Sequence, residues 1–239
     1  MKETNSFKKG IMFGLPICMG YLAVSFAFGI FTIQSGFDIW QAVLISLTNL
    51  TSAGQLAGVP IIAAGGSLLE LAITQLVINS RYALMSVSLS QKLGASITML
   101  DRFIIAFANT DEVFAIAASN RSKVGKRYMY GLIIPPIVGW TLGTFLGAVA
   151  GDVLPPSVSS ALGIAIYGMF IAIVVPPAKK EGRVLGCVLL SVVLSLLFYY
   201  LPILKNNIPS GFTIIICAVA ASAFMAALSP LPIEEARDE

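Results

Sequence analysis

The amino-acid sequence predicts an all-α integral membrane protein, built as a bundle of about eight transmembrane helices. Of its 239 residues, 57% are hydrophobic and 11% are charged, and the mean hydropathy is +0.88. A soluble domain could not bury that much apolar surface. The apolar runs are long and continuous and do not alternate in short strands, which favours helices over a β-barrel.

Eight apolar segments each approach the ~20 residues that a helix needs to cross about 30 Å of hydrocarbon. Glycine and proline mark the joints between them, for example at Gly36, Gly65 and Pro155. Because glycines interrupt the second segment, we predict that this span is broken. The fourth segment carries acids, which disfavour a membrane span. The alternative to eight spans is therefore a count of seven. The predicted spans are residues 11–33, 39–64, 67–89, 95–119, 129–150, 157–175, 184–201 and 210–228.

The distribution of lysine and arginine predicts the orientation of these spans. If the N-terminal Lys8 and Lys9 are cytoplasmic, eight crossings place the basic loop 121–127 inside as well, and leave Lys92 and Lys205 outside. Both termini are then cytoplasmic. The chain is one transmembrane domain, 1–239, in which residues 1–10 form a cytoplasmic N-terminal segment and residues 229–239 an acidic cytoplasmic tail.

Several classes of site are excluded by composition. Histidine is absent, so neither H-E-x-x-H chemistry nor a Ser-His or Cys-His arrangement is available. The three cysteines lie far apart in apolar runs and are predicted to be small buried residues rather than metal ligands. No G-x-x-x-x-G-K-[ST] loop is present. We therefore expect no enzymatic activity, cofactor, metal or nucleic-acid partner.

A faint internal repeat relates the two halves of the chain. Pro16-Ile17 opens the first predicted span and Pro136-Ile137 lies in the corresponding part of the fifth, although the following glycine differs in spacing by one residue. Under the eight-span topology both spans enter the membrane from the same side. The repeat would then consist of two parallel four-helix halves.

Arg81 is the most informative single residue, because it lies near the middle of the third predicted span. Nothing else between Leu71 and Leu89 is charged. An arginine at the centre of the bilayer costs about 3 kcal/mol on insertion scales, so it requires a partner or a water-filled cavity. Arg81 therefore indicates either a transport pathway or an ion pair that only ties helices together.

Acids in the fourth predicted span are suitable partners for Arg81. Arg81 lies eleven residues before Lys92, and Asp111 and Glu112 lie at a similar distance beyond the following loop. Neighbouring antiparallel segments would bring these side chains to nearly the same height, about 15–20 Å from that loop. The sequence thus predicts an ion pair between Arg81 and Asp111 or Glu112.

A third polar cluster falls in the second predicted span. About 20 Å along that span from its outer end lie Ser52, Gly54 and Gln55. Asn79, in the third predicted span, precedes Arg81 by two residues. Small residues allow helices to pack closely. Glycines can also unwind a span and present polar groups to a substrate. The sequence leaves both interpretations open for these residues.

Five motifs within residues 10–120 resemble, in order and spacing, those of the AzlC family, the large subunits of bacterial branched-chain amino-acid exporters. Beyond residue 120 only length and hydropathy are similar. The motifs are Gly14-Leu15-Pro16-Ile17 with Gly20-Tyr21 and Phe26-Ala27-Phe28-Gly29, Ser52-Ala53-Gly54-Gln55-Leu56, Gly66-Ser67-Leu68-Leu69-Glu70, Asn79-Ser80-Arg81-Tyr82, and Thr110-Asp111-Glu112-Val113-Phe114.

This resemblance implies a secondary transporter that exports leucine, isoleucine, valine or analogues across the inner (plasma) membrane of a bacterium. It also implies a small hydrophobic partner subunit of the AzlD type. In that function Arg81 would steer the substrate carboxylate, and Asp111 or Glu112 would take the ammonium group or a coupled proton. The alternative is a channel-like or structural permease subunit for another small solute, in which the same charges hold helices together. The candidate substrate-binding residues are Ser52, Gly54, Gln55, Asn79, Arg81, Asp111 and Glu112.

Overall fold

The computed structural model describes residues 4–155, 157 and 165–228, and these residues form α-helices without a β-strand, as predicted. In chain order the helices are α1 (Phe7–Gln34), α2 (Ile39–Thr48), α3 (Ala53–Ala63), α4 (Leu68–Lys92), α5 (Met99–Phe107), α6 (Asp111–Ala118), α7 (Lys126–Val153), α8 (Ala165–Lys180), α9 (Gly182–Tyr200), α10 (Pro202–Asn207) and α11 (Ser210–Leu228). Of the described helices, α1, α7, α9 and α11 are both long enough and apolar enough to cross a membrane.

The centre of the bundle is a parallel pair of helices, α1 and α7, which pack with their backbones in close contact. Glycines make this approach possible. A Cβ atom at Gly14 would lie 2.7 Å from the carbonyl oxygen of Leu132, and one at Gly151 would lie 3.1 Å from the Cα of Ile30. The contact therefore extends over most of the length of both helices.

The N-terminal segment, the end of α4 and the loop before α7 meet at one end of the bundle. Thr4 N donates to Lys123 O at 2.9 Å, and Val124 N donates to Lys92 O at 3.0 Å. α1 and α7 therefore run away from this end, and α4 runs towards it. We call this the basic end (residues 4–9, 92–98 and 119–127) and the opposite one the far end (residues 35–38, 64–67 and 201–209).

Residues 35–67 form a re-entrant hairpin, because α1 arrives at the far end and α4 departs from it. α2 runs inward to Thr48, the chain breaks at residues 49–52, and α3 runs back. The predicted break in the second span is confirmed, but the prediction that residues 39–64 cross the bundle is wrong. The hydroxyl oxygens of Ser46 and Thr144 lie 2.7 Å apart and dock α2 on α7.

Residues 93–125 form a second re-entrant hairpin, which enters from the basic end. Lys126 Nζ lies 2.8 Å from Asp101 Oδ1, and Lys126 N donates to Ser96 Oγ at 3.0 Å, so the hairpin begins beside the start of α7. The prediction that residues 95–119 cross is therefore also wrong. The physical reason is the break at residues 108–110, which divides the segment into half-helices of 9 and 8 residues, each too short for a crossing that takes about 20.

The two hairpins create an inverted internal repeat. Each repeat unit is a long helix followed by two half-helices. The first unit consists of α1, α2 and α3, and the second of α4, α5 and α6. The two units point in opposite directions. The predicted parallel direction of the first and fifth spans is confirmed by α1 and α7. Parallel four-helix halves do not form, because residues 39–64 and 95–119 turn back.

The C-terminal helices form a layer beside α1 and α4. α8 contacts α1, α11 contacts α4, and α9 lies between α8 and α11. Gly211 N donates to Oε1 of the buried Glu70 side chain at 2.8 Å, which joins the start of α11 to the start of α4. The predicted sixth span, 157–175, lies partly outside the described residues, and the tail 229–239 lies wholly outside them.

The hairpins change the position of one charged loop. Lys92, which eight crossings would separate from the loop 121–127, contacts that loop directly. Lys205 in α10 lies at the far end. Because Lys92 lies at the basic end, the excess of lysine and arginine at that end over the far end is larger than eight crossings would give. The positive-inside rule therefore predicts that the basic end is cytoplasmic.

Substituting Gly29 by alanine should lower the free energy of unfolding by about 1–3 kcal/mol, because inserted methyl groups in packed contacts cost that much. Its Cβ atom would lie 2.6 Å from Ala148 N, whereas nothing lies within 4 Å of a Cβ atom at Gly20 in the same helix. Gly20→Ala is therefore the matched control for thermal unfolding in detergent. Equal melting temperatures for the two variants would contradict the close packing of α1 on α7.

Single cysteines introduced at Ala95 and Ser122, in a background without the three native cysteines, should show the same accessibility. Both positions lie at the basic end, so an impermeant thiol reagent added to intact cells should label neither. A cysteine at Lys205 should be labelled. Labelling at 95 with protection at 122 would mean that residues 95–119 cross the membrane after all.

Candidate functional site

The broken tips of the two hairpins meet α1, α4 and α7 around a cavity of about 740 Å³. This volume lies within the range of about 300–1,000 Å³ that is typical of small-molecule sites. Arg81 lines the cavity, 13 residues after the start of α4 and 11 before its end. The cavity therefore lies near the middle of the bundle. Its apolar wall includes Ile17, Val24, Leu50, Ile78 and Ile116.

The predicted ion pair is present and faces this cavity. Arg81 Nη1 lies 2.6 Å from Asp111 Oδ2, and the two side chains are 45% and 47% exposed. Arg81 Nη2 also donates to the hydroxyl of Tyr82 at 3.3 Å, and the guanidinium lies 4.9 Å from the centre of the Tyr82 ring. The prediction that Arg81 pairs with one of the two acids is confirmed, and the partner is Asp111.

The second hairpin places its acids at the cavity because its tip ends in a helix N-terminus. Thr110 is the N-cap of α6, so Asp111 and Glu112 are its first two residues. Carboxylates are favoured there by the free backbone N–H groups and the helix dipole. The tip itself is held by Asn109 Nδ2, which donates to Ser86 Oγ in α4 at 3.2 Å.

Glu112 is held by a tyrosine from another helix. The Tyr21 hydroxyl in α1 donates to Glu112 Oε2, and the Tyr21 ring meets Trp140 of α7 edge to face at 5.3 Å. Sequence reasoning did not identify Tyr21 or Trp140 as site residues. For Tyr21 the signal was its place beside Gly20 in the first motif. For Trp140 the signal was a large aromatic side chain in the middle of a predicted span, 129–150, because tryptophans that only anchor a span lie at its ends.

Ser52 lines the cavity from the tip of the first hairpin. Its φ of +43° makes it the one non-glycine residue with left-handed backbone among those that the structure describes. Such conformations cost about 1–3 kcal/mol and persist only where the surroundings enforce them. The first hairpin thus presents a strained serine to the same space that the second hairpin lines with acids.

Three of the predicted site residues do not line the cavity. Gln55 is 1% exposed and its Nε2 donates to Ser46 Oγ at 3.2 Å. Gly54 O accepts from Gln75 Nε2 at 2.7 Å, and Asn79 Nδ2 donates to Gln75 Oε1 at 3.0 Å. Gln55, Gly54 and Asn79 therefore belong to the contacts of α3 with α2 and α4.

Helix geometry explains this division. Successive residues of an α-helix are about 100° apart, so residues separated by two positions point in nearly opposite directions. Ala53 lines the cavity and Gln55 does not, and likewise Arg81 lines it and Asn79 does not. Sequence spacing placed all four at one height but could not show which side of the helix faced the cavity.

One buried polar atom at the cavity lacks a hydrogen-bond partner among the described residues. It is Trp140 Nε1, on a residue that is 3% exposed. Buried polar groups are nearly always paired, and an unpaired one costs about 1–3 kcal/mol. This indole N–H therefore marks the cavity as a place suited to a polar ligand.

The chain is similar to a set of membrane proteins. The sequence model of the family described as AzlC protein matches residues 16–154, which include both hairpins and all the cavity residues named above. An uncharacterized membrane protein of Archaeoglobus fulgidus is 33% identical over 183 residues, which is 75% of this chain and 79% of that protein. The inner membrane protein YgaZ of Escherichia coli K12 is 29% identical over 183 residues, 74% of this chain and 75% of its own length. No solved structure matches the chain.

A double-mutant cycle on Arg81 and Asp111 should show strong coupling. Arg81→Ala and Asp111→Asn should each lower thermal stability, and the double variant should lose less than the sum of the two, by about 1 kcal/mol or more. The reason is that either single change leaves an unpaired charge among apolar helices. Arg121→Ala combined with Asp152→Asn, at opposite ends of the bundle, is the control and should be additive. Additive losses for Arg81 and Asp111 would show that their contact contributes nothing to stability.

Proposed function

The chain belongs to the AzlC family of membrane proteins, and we propose that it is a secondary transporter that exports leucine, isoleucine, valine or analogues. The observation that carries this proposal is the central cavity, where an arginine, two acids and an apolar wall converge between two broken hairpins. Charged groups at this depth in a bundle normally mark a substrate or ion pathway.

The composition of the cavity suits a zwitterion with an aliphatic side chain. Arg81 offers a cation for a carboxylate, and Asp111 or Glu112 offers an anion for an ammonium group. Ile17, Val24 and Ile116 provide apolar surface nearby. Each CH₂ buried on such a surface contributes about 0.8 kcal/mol. The cavity is thus expected to favour branched aliphatic amino acids over alanine.

The arrangement of the hairpins supports transport rather than storage of a ligand. The first hairpin enters from the far end and the second from the basic end, and the tips of both line the cavity. Broken helices around a central site, in inverted repeats, are the usual basis of alternating access. Movement of one hairpin at a time would open the cavity to one side and then to the other.

The proposal includes a partner and a location. We infer that the transporter works with a small hydrophobic subunit of the AzlD type in the inner (plasma) membrane of a bacterium, with both termini in the cytoplasm. Support for the membrane comes from the apolar helices and from relatives that are themselves membrane proteins. The basic end supports the orientation, because lysine and arginine accumulate on the cytoplasmic side.

One observation favours a second candidate function. The Arg81–Asp111 pair joins α4 to the second hairpin, so these charges could serve mainly to hold the hairpin in place. The protein would then be a channel-like or structural permease subunit for another small solute. The two functions differ in an observable way, since a carrier exchanges bound substrate across the membrane and a channel does not.

Counterflow in proteoliposomes tests the carrier. Vesicles that contain the protein, with and without the small subunit, are loaded with unlabelled leucine and diluted into labelled leucine. We expect transient accumulation of label with the subunit present, and competition by leucine about one to two orders of magnitude stronger than by alanine. The absence of counterflow with all branched-chain amino acids would contradict the proposed function.

A wall substitution identifies the cavity as the site. Ile116→Ala should weaken competition by leucine several-fold relative to alanine, because Ile116 belongs to the apolar wall. Ile62→Ala is the matched control, since Ile62 is exposed on α3 and does not line the cavity. An unchanged ranking of amino acids in Ile116→Ala would place the substrate elsewhere in the protein.

A further inference from the structure

We propose that Trp140 binds the carboxylate of the substrate, through a hydrogen bond from its indole Nε1–H. This inference rests on the proposed function and deepens it, because it names the group that contacts one end of a zwitterionic amino acid. Arg81 then has a different task, since it stays paired with Asp111 while the substrate is bound.

The strongest hydrogen-bond donors at the cavity already hold an acid of the second hairpin. Arg81 Nη1 lies 2.6 Å from Asp111 Oδ2, and the Tyr21 hydroxyl donates to Glu112. If Arg81 left Asp111 for the substrate, a carboxylate would remain unpaired among apolar helices, and that loss would offset the new contact. The direct donor to a substrate carboxylate is therefore a group that does not yet hold an acid.

Trp140 carries such a donor. The residue lines the cavity and is buried, and its Nε1 has no hydrogen-bond partner among the described residues. An indole nitrogen donates a hydrogen bond and cannot accept one, so the missing partner is an acceptor. Hydrogen bonds to ionised acceptors are about twice as strong as those between neutral groups. A carboxylate oxygen is therefore the ligand atom that suits this position best.

The depth of Trp140 indicates that its acceptor comes from the cavity. Trp140 lies 14 residues after the start of α7 and 13 before its end, as Arg81 lies near the middle of α4. Tryptophans at span ends reach acceptors in water and headgroups. Lipid tails at the centre of the bilayer offer none. The acceptor for the indole N–H is therefore expected on a molecule that occupies the cavity.

A tyrosine joins this donor to the acids of the second hairpin. The Tyr21 ring meets the Trp140 ring edge to face at 5.3 Å, and the Tyr21 hydroxyl donates to Glu112. An α-amino acid carries its carboxylate and its ammonium group on the same carbon atom. A substrate whose carboxylate binds Trp140 therefore keeps its ammonium group on the side of the cavity where the acids lie.

Trp140 belongs to the closely packed α1–α7 pair rather than to a hairpin. A Cβ atom at Gly139 would lie 3.0 Å from the Cα of Cys18, and one at Gly143 would lie 3.0 Å from the Cα of Leu22. These contacts hold the backbone of α7 against α1 on both sides of Trp140. The carboxylate is thus bound to the rigid part of the bundle, and the substrate stays anchored when either hairpin opens.

Trp140→Phe tests this assignment, because it removes the N–H group and keeps an aromatic ring beside Tyr21. Leucine binding to the purified protein with its small subunit should weaken about tenfold to a hundredfold, as expected for a hydrogen bond to a charged group. Binding of 3-methylbutylamine, which is leucine without its carboxylate, should be unchanged. Trp40→Phe is the matched control, since Trp40 is exposed on α2. Equal weakening of leucine and the amine would mean that Trp140 serves packing alone, and would overturn the inference.

The indole N–H signal in NMR gives a second readout that leaves Trp140 intact. The chain has two tryptophans, so the ¹⁵N-labelled indole of the Trp40→Phe variant, with an unlabelled small subunit, reports Trp140 alone. Leucine should move the indole proton downfield, in step with binding, and 3-methylbutylamine should not. Leucine binding that leaves this signal unmoved would overturn the inference and leave the proposed function intact. The absence of any branched-chain amino-acid binding would overturn both.

Discussion

Irregular backbone inside a membrane bundle must be enclosed by protein, because lipid offers no hydrogen bonds to free N–H and C=O groups. Both hairpins break their helices halfway, at residues 49–52 and 108–110. Their tips can exist only where α1, α4 and α7 surround them. The close packing of α1 on α7 provides a rigid wall, and Thr144 and Ser86 supply the side-chain contacts that hold each hairpin. The cavity is a consequence of this constraint.

The same constraint explains where the charges lie. A half-helix that ends inside the bundle presents a free N-terminus there, and acids are favoured at that position. Asp111 and Glu112 begin α6, and Arg81 faces them from the middle of α4. An intact crossing helix would have no free N–H groups at this depth. The break in the helix and the concentration of polar side chains are therefore one structural feature.

The pairing of Arg81 with an acid of the following segment could be predicted, because it depends only on the distance of both residues from the loop at Lys92. That distance is unaffected by whether the segment later crosses or turns back. The topology could not be predicted in the same way. Residues 39–64 and 95–119 have the length and hydropathy of full spans, and their return is settled by contacts such as Val124 N with Lys92 O and Lys126 with Asp101.

Sequence alone determined that the chain is helical and lies in a membrane, that its second span breaks near Ser52, and that Arg81 needs a partner or a water-filled cavity. These properties follow from composition and local spacing. Tertiary structure decided which residues share a space. Gln55 and Asn79 point away from the cavity, because each lies two helix positions from a residue that lines it. Tyr21 and Trp140 line the cavity although they come from distant parts of the chain. Side-chain direction depends on how helices are rotated against each other, and that rotation is set by packing between segments far apart in sequence, such as the glycines of α1 and α7.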